Sequence, residues 1–176
     1  MKITIFGLAG TGTTTVGKIL AKNLDYEFLS TGNMFRQQAE EMKISLNELE
    51  KLGQLDSKYD LALDQKVKTY GEANDNFIFD SRLAWYFIPD SIKIKLACDY
   101  DARLERIMSR ENKDKKLVEQ ETEDRLQKIN DRYKRYYDID DYASDTNFDM
   151  IIDTTNILAH EVASRVEGYL KDKTSE

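Results

Sequence analysis

The segment Lys2–Lys18 (KITIFGLAGTGTTTVGK) constrains the fold of this chain more than any other. Ile3, Ile5 and Phe6 are typical of a short buried strand, and the apolar residues from Val16 onward recur at helical spacing. Between the strand and the helix lie closely spaced glycines. Strand, glycine-rich turn and helix, in this order, are the arrangement of a phosphate-binding loop, whose N–H groups and helix dipole attract an anion.

The loop departs at one position from the usual pattern of Gly, four residues, Gly, Lys and Ser or Thr. Gly7, Gly12 and Thr14 fit this pattern, but Thr13 lies where the lysine is expected. Lys18 comes five residues later, on the predicted helix, and cannot simply take that place. A tight strand–helix turn with a threonine-rich N-cap is the alternative interpretation.

Length and composition indicate a single α/β domain. The chain has 176 residues, enough to bury a substantial core. A net charge of −7 and a pI of about 4.9 disfavour general nucleic-acid binding. The single cysteine, Cys98, allows no disulfide within the chain, and no apolar run approaches the roughly 20 residues that span a bilayer. No signal-peptide pattern is present, so we expect a cytoplasmic protein that needs no nucleic acid, membrane or obligate protein partner.

Four further segments have strand character and alternate with helical patterns, which predicts a five-stranded parallel sheet covered on both faces. These segments are Tyr26–Leu29, Asn76–Phe79, Ser91–Ala97 and Asn147–Asp153. The lysines that alternate with apolar residues in the third of them predict a more exposed face or an edge position.

Polar segments follow the strands, at the edge of a parallel sheet where ligands bind. Besides the loop at 7–14, they are Ser30–Arg36, Asp80–Arg82 and Asp153–Asn156. This convergence predicts a nucleotide site. Asp80 is well placed to hold a magnesium-bound water, and the planar fork of Arg82 can bind a phosphate. A structural Asp–Arg pair that braces the loop is the alternative.

Residues 34–73 read as a polar helical insertion between strands. We predict a helix from Met34 to about Met42 with Arg36 in its first turn, where a cation is unfavourable unless it meets an anionic partner; a solvated arginine is the alternative. Ser45–Glu48 has the pattern of a capping box. Apolar residues at helical spacing from Leu46 then extend the helical region to about Tyr70.

Arginine is concentrated in one part of a lysine-rich chain, which has 17 lysines and 9 arginines. Six of the arginines are Arg103, Arg106, Arg110, Arg125, Arg132 and Arg135. The first three share a helix face, and the others lie on a second helix beyond a charged turn. This placement favours a lid that closes over phosphates with bidentate donors; a solvated helical hairpin with i,i+4 ion pairs is the alternative.

Four motifs together resemble the short, archaeal-type group of cytidylate kinases, which are nucleoside monophosphate (NMP) kinases of the P-loop type. The motifs are GLAGTGTTTV (7–16), STGNMFR (30–36), DSRLA (80–84) and RYKRYYDID (132–140). The resemblance covers residues 1 to about 166 in the family's order. That group commonly has Gly-Thr-Thr-Thr in the loop, so Thr13 is similar to a family trait.

The resemblance implies the P-loop NMP kinase fold: a five-stranded parallel sheet flanked by helices, with a helical NMP-binding insertion and a small lid. It implies a single domain over residues 1–176, with its core at 1–33, 74–105 and 146–172, the insertion at about 34–73 and the lid at about 106–140. The implied reaction transfers the γ-phosphate of ATP to CMP or dCMP, with Mg²⁺.

The resemblance also implies roles for individual residues. The ATP-binding set is Gly7, Leu8, Ala9, Gly10, Thr11, Gly12, Thr13, Thr14, Thr15, Arg106 and Arg110. The acceptor-binding set is Ser30, Gly32, Arg36 and Arg82. The catalytic set is Asp80, Arg82, Arg125 and Arg132, and the metal-binding pair is Thr14 and Asp80. We hypothesise that Arg82 or a lid arginine supplies the charge of the missing loop lysine.

Two departures from the family pattern lie near the acceptor. Asn33 occupies a place usually held by Asp, and Ser81 replaces a Gly. They leave open a kinase for another nucleoside monophosphate. Together with Thr13, they also leave open a nucleotide-binding protein of the same fold that has lost phosphate transfer.

Overall fold

A computed structural model of the protein describes residues 1–45, 48–49, 52–53 and 58–174, and strands alternate with helices through these ranges. The strands are β1 (Lys2–Gly7), β2 (Glu27–Ser30), β3 (Phe77–Asp80), β4 (Ile92–Ala97) and β5 (Met150–Asp153). The helices are α1 (Thr13–Leu24), α2 (Thr31–Glu41), α3 (Lys58–Ala73), α4 (Ala84–Phe87), α5 (Tyr100–Glu111), α6 (Lys115–Tyr137) and α7 (Ala159–Thr174), with a 3₁₀ turn at Asp145–Asn147.

The five strands form one parallel sheet in the order β2-β3-β1-β4-β5, which confirms the predicted fold class. β1 is central, and the chain passes to opposite sides of it after β1 and after β3. Such a switch point opens a crevice at the carboxyl ends of the strands. In the register of β2 and β3, Ser30 lies directly opposite Asp80, so two of the predicted site residues are neighbours across the sheet.

Apolar residues bury both faces of the sheet, as a parallel sheet with helical crossovers requires. On one face, α1 and α7 cover Ile3 and Ile5 of β1. On the other face, Phe77 and Phe79 of β3 pack under α3 and α4. Phe6 lies with Tyr133, Tyr142 and other aromatic residues of the 133–148 segment. The core therefore fixes the phosphate loop, which follows Phe6, between two packed layers.

The edge position considered for the fourth strand is wrong, because β4 pairs with both β1 and β5. Its lysines are accommodated because their ammonium groups reach polar groups at the rim. Lys93 donates to the carbonyl oxygen of Pro89 at 2.8 Å, and Lys95 contacts Asp145 at 2.6 Å. The long aliphatic stems thus cover the sheet while the ammonium groups remain hydrogen-bonded.

Helix α2 begins three residues earlier than predicted, at Thr31, directly after the extended Ser30. There is consequently no turn between β2 and α2, and Arg36 lies in the second turn of the helix rather than the first. The predicted unfavourable interaction of Arg36 with the helix dipole is therefore wrong, since that effect is confined to the first turn.

The helical insertion and the helical hairpin are both present in the described ranges. The predicted capping box forms, with the Ser45 N–H donating to Glu48 Oε2 at 2.7 Å and the Glu48 N–H donating to Ser45 Oγ at 3.2 Å; Leu46 and Asn47 lie outside the described residues. Helix α3 continues to Ala73, beyond the predicted end. Helices α5 and α6 are joined through Asn112, which ends α5 in a left-handed conformation.

Candidate functional site

The phosphate loop is shaped by two glycines with positive φ angles. Gly10 has a φ of 88° and Gly12, which precedes α1, has a φ of 93°. A Cβ atom built on Gly12 would meet no described atom within 4 Å, so the space beside this residue is open. The first-turn N–H groups of α1 follow directly, and a helix N-terminus of this kind attracts an anion.

Side chains from other elements hold three successive carbonyl groups of the loop. Arg103 Nε donates to the Ala9 carbonyl oxygen at 2.8 Å, and an Nη of Arg106 donates to that of Gly10 at 3.2 Å. Thr154 Oγ1 donates to the Thr11 carbonyl oxygen at 2.9 Å. In a trans peptide the N–H points opposite to the C=O. The Gly10 and Gly12 N–H groups therefore point away from Arg103 Nε and Thr154 Oγ1, the atoms that donate to the Ala9 and Thr11 carbonyl groups.

Arg106 and Arg110, which were predicted to bind ATP from the lid, contact protein groups or solvent in the structure. The guanidinium of Arg106 lies behind the loop, where it also donates to the carbonyl oxygens of Thr154 at 2.7 Å and Thr155 at 3.1 Å. Arg110 lies one turn further along α5, is largely exposed and pairs with Glu111 at 2.6 Å. Arg106 thus joins the loop to the segment after β5, while Arg110 faces solvent.

Asp80 is the point at which the phosphate loop meets the neighbouring strands. Thr14 Oγ1 donates to Asp80 Oδ2 at 2.6 Å. Burial raises the pKa of Asp80, an effect opposed by hydrogen bonds from Thr14, Thr13 and Ser30 and by the charge of Arg82. The hydroxyl at the missing-lysine position thus contacts Asp80, and so does the serine that precedes α2.

The donor set around Asp80 suits Mg²⁺ better than a metal that needs a protein cage. In the described ranges, no group of three or more His, Cys, Asp or Glu residues is arranged to hold a metal ion. Mg²⁺ takes oxygen ligands and usually binds through one or two carboxylates together with water and substrate phosphates. Thr14 and Asp80 offer one hydroxyl and one carboxylate beside the open space at Gly12, and they therefore fit the predicted metal.

Arg82 follows Asp80 by two residues and lies beside the aromatic cluster. Its Nε is buried and has no hydrogen-bond partner among the described residues. Its charge acts on Tyr133, whose pKa burial raises to about 12, and on Tyr142. A buried donor without a partner is costly, so the Nε of Arg82 is available to an anionic ligand.

The remaining acceptor-side residues lie at the start of α2. Ser30 is buried directly opposite Asp80 and is the N-cap residue of α2. Arg36 is exposed, and its Nη2 donates to Asn33 Oδ1 at 2.5 Å. Gly32 lies between them, since a Cβ built on it would lie 3.6 Å from Ser30 Oγ and 3.8 Å from Arg36 Nη2. The Asn33 departure therefore contacts Arg36, one of the predicted acceptor-binding residues.

The second helix of the hairpin contacts the insertion. An Nη of Arg132 donates to both carboxylate oxygens of Asp64, at 3.1 and 2.8 Å, and the Tyr137 hydroxyl donates to the same carboxylate at 2.6 Å. Arg125 is exposed on the same helix. Asp64 carried no motif in the sequence, and its role as the partner of Arg132 could not be predicted across 68 positions.

From the sequence, Arg103 was counted among the arginines of the predicted lid but was given no role of its own. Arg103 belongs to the arginine series of α5 and shares a helix face with Arg106. The spacing does not say which neighbour that face meets, and the structure shows that it meets the phosphate loop.

Comparison with known proteins places these features in a family. An AAA domain family matches residues 3–127. A cytidylate kinase of Archaeoglobus fulgidus is 36% identical over 172 residues, which cover 97% of this chain and 93% of that protein. An S-adenosylmethionine-dependent nucleotide dehydratase of Lacinutrix mariniflava is 33% identical over 97% of this chain, which spans only 36% of that longer protein.

A solved structure shows the same fold at lower sequence similarity. A shikimate kinase from Acinetobacter baumannii, in complex with shikimate, superimposes with a TM-score of 0.69 at 19% identity, over 99% of this chain and 95% of that one. At this identity the likeness concerns the fold alone. Within the described residues, no helix is long and apolar enough to cross a membrane.

Proposed function

Since this chain belongs to the archaeal-type cytidylate kinases, a group of P-loop nucleoside monophosphate kinases, we propose that it transfers the γ-phosphate of ATP to CMP or dCMP. Family membership makes the chain a nucleotide phosphotransferase. The choice of a cytidine monophosphate as the acceptor, and the products CDP or dCDP and ADP, are our proposal.

One observation carries the proposal: the phosphate loop and the acceptor segment converge on one carboxylate. Thr14 of the loop donates to Asp80 at 2.6 Å, and Ser30, which begins the acceptor segment, lies opposite Asp80 in the sheet. A kinase has to bring two phosphate-bearing substrates together in line, and it needs no covalent intermediate. A site that joins the two binding segments at a single acid supports that requirement.

Different residues of the chain would bind the two substrates. The N–H groups of the loop and of α1 would bind the ATP phosphates at the open space beside Gly12. Arg36 and Arg82 would bind the acceptor phosphate; the Nε of Arg82 is buried and lacks a protein partner among the described residues. Thr14 and Asp80 would hold Mg²⁺, which bridges phosphate oxygens and neutralises their charge when bound.

The two mobile parts of such a kinase would be the insertion, at about 34–73, and the lid, at about 106–140. The contact between Arg132 and Asp64 joins these two segments. Closure of the lid would exclude water and bring Arg125 and Arg132 toward the transferred phosphoryl group, where fixed positive charge stabilises the transition state.

A second candidate is a kinase for another nucleoside monophosphate, and the contact between Asn33 and Arg36 favours it. An amide in place of a carboxylate leaves the charge of Arg36 uncompensated at this contact. In this second candidate the acceptor carries a base or sugar other than that of CMP or dCMP, and the same residues bind its phosphate.

Product analysis tests the proposed reaction. The protein is incubated with ATP, Mg²⁺ and CMP, and the nucleotides are separated by anion-exchange chromatography. CDP and ADP in equal amounts are expected. ADP without CDP would show ATP hydrolysis alone, and ATP binding without any product would identify a nucleotide-binding protein that has lost transfer; either result would contradict the proposal.

A further inference from the structure

The phosphate loop lacks the lysine that normally contacts the β- and γ-phosphates, and neither nearby candidate replaces it. Thr13 occupies the position, and its hydroxyl contacts Asp80. Lys18 is exposed on α1. A phosphate loop with backbone N–H groups alone would carry less positive charge than the polyphosphate requires.

Arg103, in the first turns of α5, is fixed against this loop by both its side chain and its backbone. Its Nε donates to the Ala9 carbonyl oxygen at 2.8 Å. Gly10 packs on its main chain so closely that a Cβ on Gly10 would lie 2.6 Å from the Arg103 carbonyl oxygen. Arg103 therefore sets the path of the loop at two consecutive residues.

The charge of Arg103 is buried without a carboxylate partner among the described residues. The residue is only 6% exposed. The two acids at the start of its helix have other contacts: Asp99 accepts from the N–H of Asp101 at 3.0 Å, and Asp101 faces Lys115 at 3.4 Å. Its terminal amino groups make no hydrogen bond to the part of the chain that the structure describes.

A second cation lies in the same region. Burial lowers the pKa of Arg103, and the charge of Arg82 contributes in the same direction. Two guanidinium groups that repel each other are unfavourable while no anion is bound near them. An anion that both can reach removes this cost, and the phosphate loop places the polyphosphate of a nucleotide at this edge of the sheet.

We propose that Arg103 supplies the charge of the missing loop lysine: its Nε fixes the Ala9 peptide, and its terminal amino groups contact the polyphosphate of ATP. This inference rests on the proposed function only in that the site binds ATP. Arg103 thus acts as a binding residue for the phosphates and as a positioning residue for the loop.

The test compares Arg103→Met with Arg103→Lys and with the double variant Arg103→Met/Thr13→Lys, which returns a lysine to the usual place. Binding of inorganic tripolyphosphate is measured by calorimetry, and kcat and KM are measured for both substrates. We expect Arg103→Met to weaken tripolyphosphate binding at least tenfold and to raise the KM for ATP, with the KM for CMP within threefold of the wild-type value. Arg103→Lys should retain part of the affinity. The double variant should bind tripolyphosphate at least threefold more tightly than Arg103→Met does.

Arg165→Met is the matched control, because Arg165 is exposed on α7 and pairs with Glu161 at 2.7 Å. This variant should bind tripolyphosphate like the wild type. A folded Arg103→Met variant with unchanged tripolyphosphate affinity would overturn the inference, and so would a double variant that recovers nothing.

A measurement on the wild-type protein covers the case in which Arg103→Met does not fold. In ¹⁵N-labelled protein, the Nε and Nη signals of Arg103, assigned with Arg103→Lys, should shift on addition of tripolyphosphate. Unshifted Arg103 signals, together with shifted Gly10 and Gly12 amides, would overturn the inference. Because tripolyphosphate binding needs no acceptor, both measurements remain decisive even if the protein binds ATP and fails to phosphorylate CMP.

Discussion

Arg132 of helix α6 donates to both carboxylate oxygens of Asp64 in α3, at 3.1 and 2.8 Å, and thereby ties these two helices together. The Asp64 side chain is only 9% exposed, whereas that of Arg132 is 21% exposed. The pair therefore lies between a surface ion pair, which contributes little, and a buried one, whose disruption is costly.

Asp64→Asn should lower the free energy of unfolding by about 1–3 kcal/mol, because Arg132 and Tyr137 both lose a charged acceptor. Urea denaturation measures this change. Lys134→Met is the control on the same helix, since Lys134 is exposed and pairs only with surface acids. Equal denaturation midpoints for the Asp64 variant and the wild type would show that the contact does not stabilise the protein.

Asp80→Asn should stabilise the nucleotide-free protein while it removes activity. Since burial raises the pKa of Asp80, the folded protein holds that proton more tightly than the unfolded chain. The ionised carboxylate therefore costs stability at neutral pH, and stability increases as the pH falls through the raised pKa toward the ordinary value near 3.8.

Thermal unfolding at pH 7 should thus show a higher midpoint for Asp80→Asn, and its stability should vary less with pH in the acid range. The kcat/KM for the kinase reaction should fall by about two to three orders of magnitude, since the charge opposite Thr14 is lost. Asp172→Asn, on the exposed end of α7, should change neither quantity. A destabilised Asp80→Asn variant would contradict the assignment of a desolvated carboxylate.

Gly12→Ala should lower both the stability of the protein and its affinity for ATP. A Cβ at Gly12 would meet no described atom within 4 Å, but the φ of 93° is strained for alanine. We expect a loss of about 1–2 kcal/mol in unfolding free energy. The loss of ATP affinity should exceed tenfold, because the methyl group occupies the space in which the phosphates approach the loop.

Gly168→Ala is the control for this variant. Gly168 also has open space around it, but it lies in α7 without a positive φ. This substitution should stabilise the protein by up to about 1 kcal/mol and leave ATP binding unchanged. ATP affinity that stays at the wild-type value in Gly12→Ala, measured by calorimetry, would exclude the loop as the phosphate site.

Arg36→Met should weaken binding of the monophosphate acceptor and leave binding of ATP unchanged. Arg36 is exposed in the second turn of α2 and contacts Asn33, well apart in sequence from the loop. Steady-state kinetics should show a KM for the monophosphate that rises about tenfold to a hundredfold, as expected for the loss of a charge-assisted phosphate contact. The KM for ATP should stay within twofold, as it should for both substrates in Lys22→Met, an exposed change at the end of α1.

The local part of this site was predictable from the sequence, and the long-range part was not. The glycines of the loop fix a strand–turn–helix unit, and the strand pattern places Ser30 and Asp80 at one edge of the sheet. Sequence spacing showed that Arg103 and Arg106 share a face. It could not show that this face packs against loop carbonyl groups, since that depends on β4 lying next to β1.

Two expectations were wrong for different physical reasons. Alternating lysines made β4 resemble an edge strand, but tertiary contacts at the rim satisfy the ammonium groups and allow the strand an interior place. The start of α2 was predicted too late because Ser30 is both the last residue of β2 and the N-cap residue of α2. No turn residues therefore separate the two elements.

The substrate preference of the enzyme tests the central claim most directly. ADP release with ATP and Mg²⁺ is coupled to a spectrophotometric readout, and kcat/KM is compared for CMP, dCMP, UMP, AMP and GMP. We predict that CMP or dCMP exceeds each of the other three by at least tenfold. A preference for UMP, AMP or GMP would contradict the cytidylate assignment and direct attention to Asn33 and Ser81, and the absence of turnover with all five would contradict phosphate transfer to a nucleoside monophosphate.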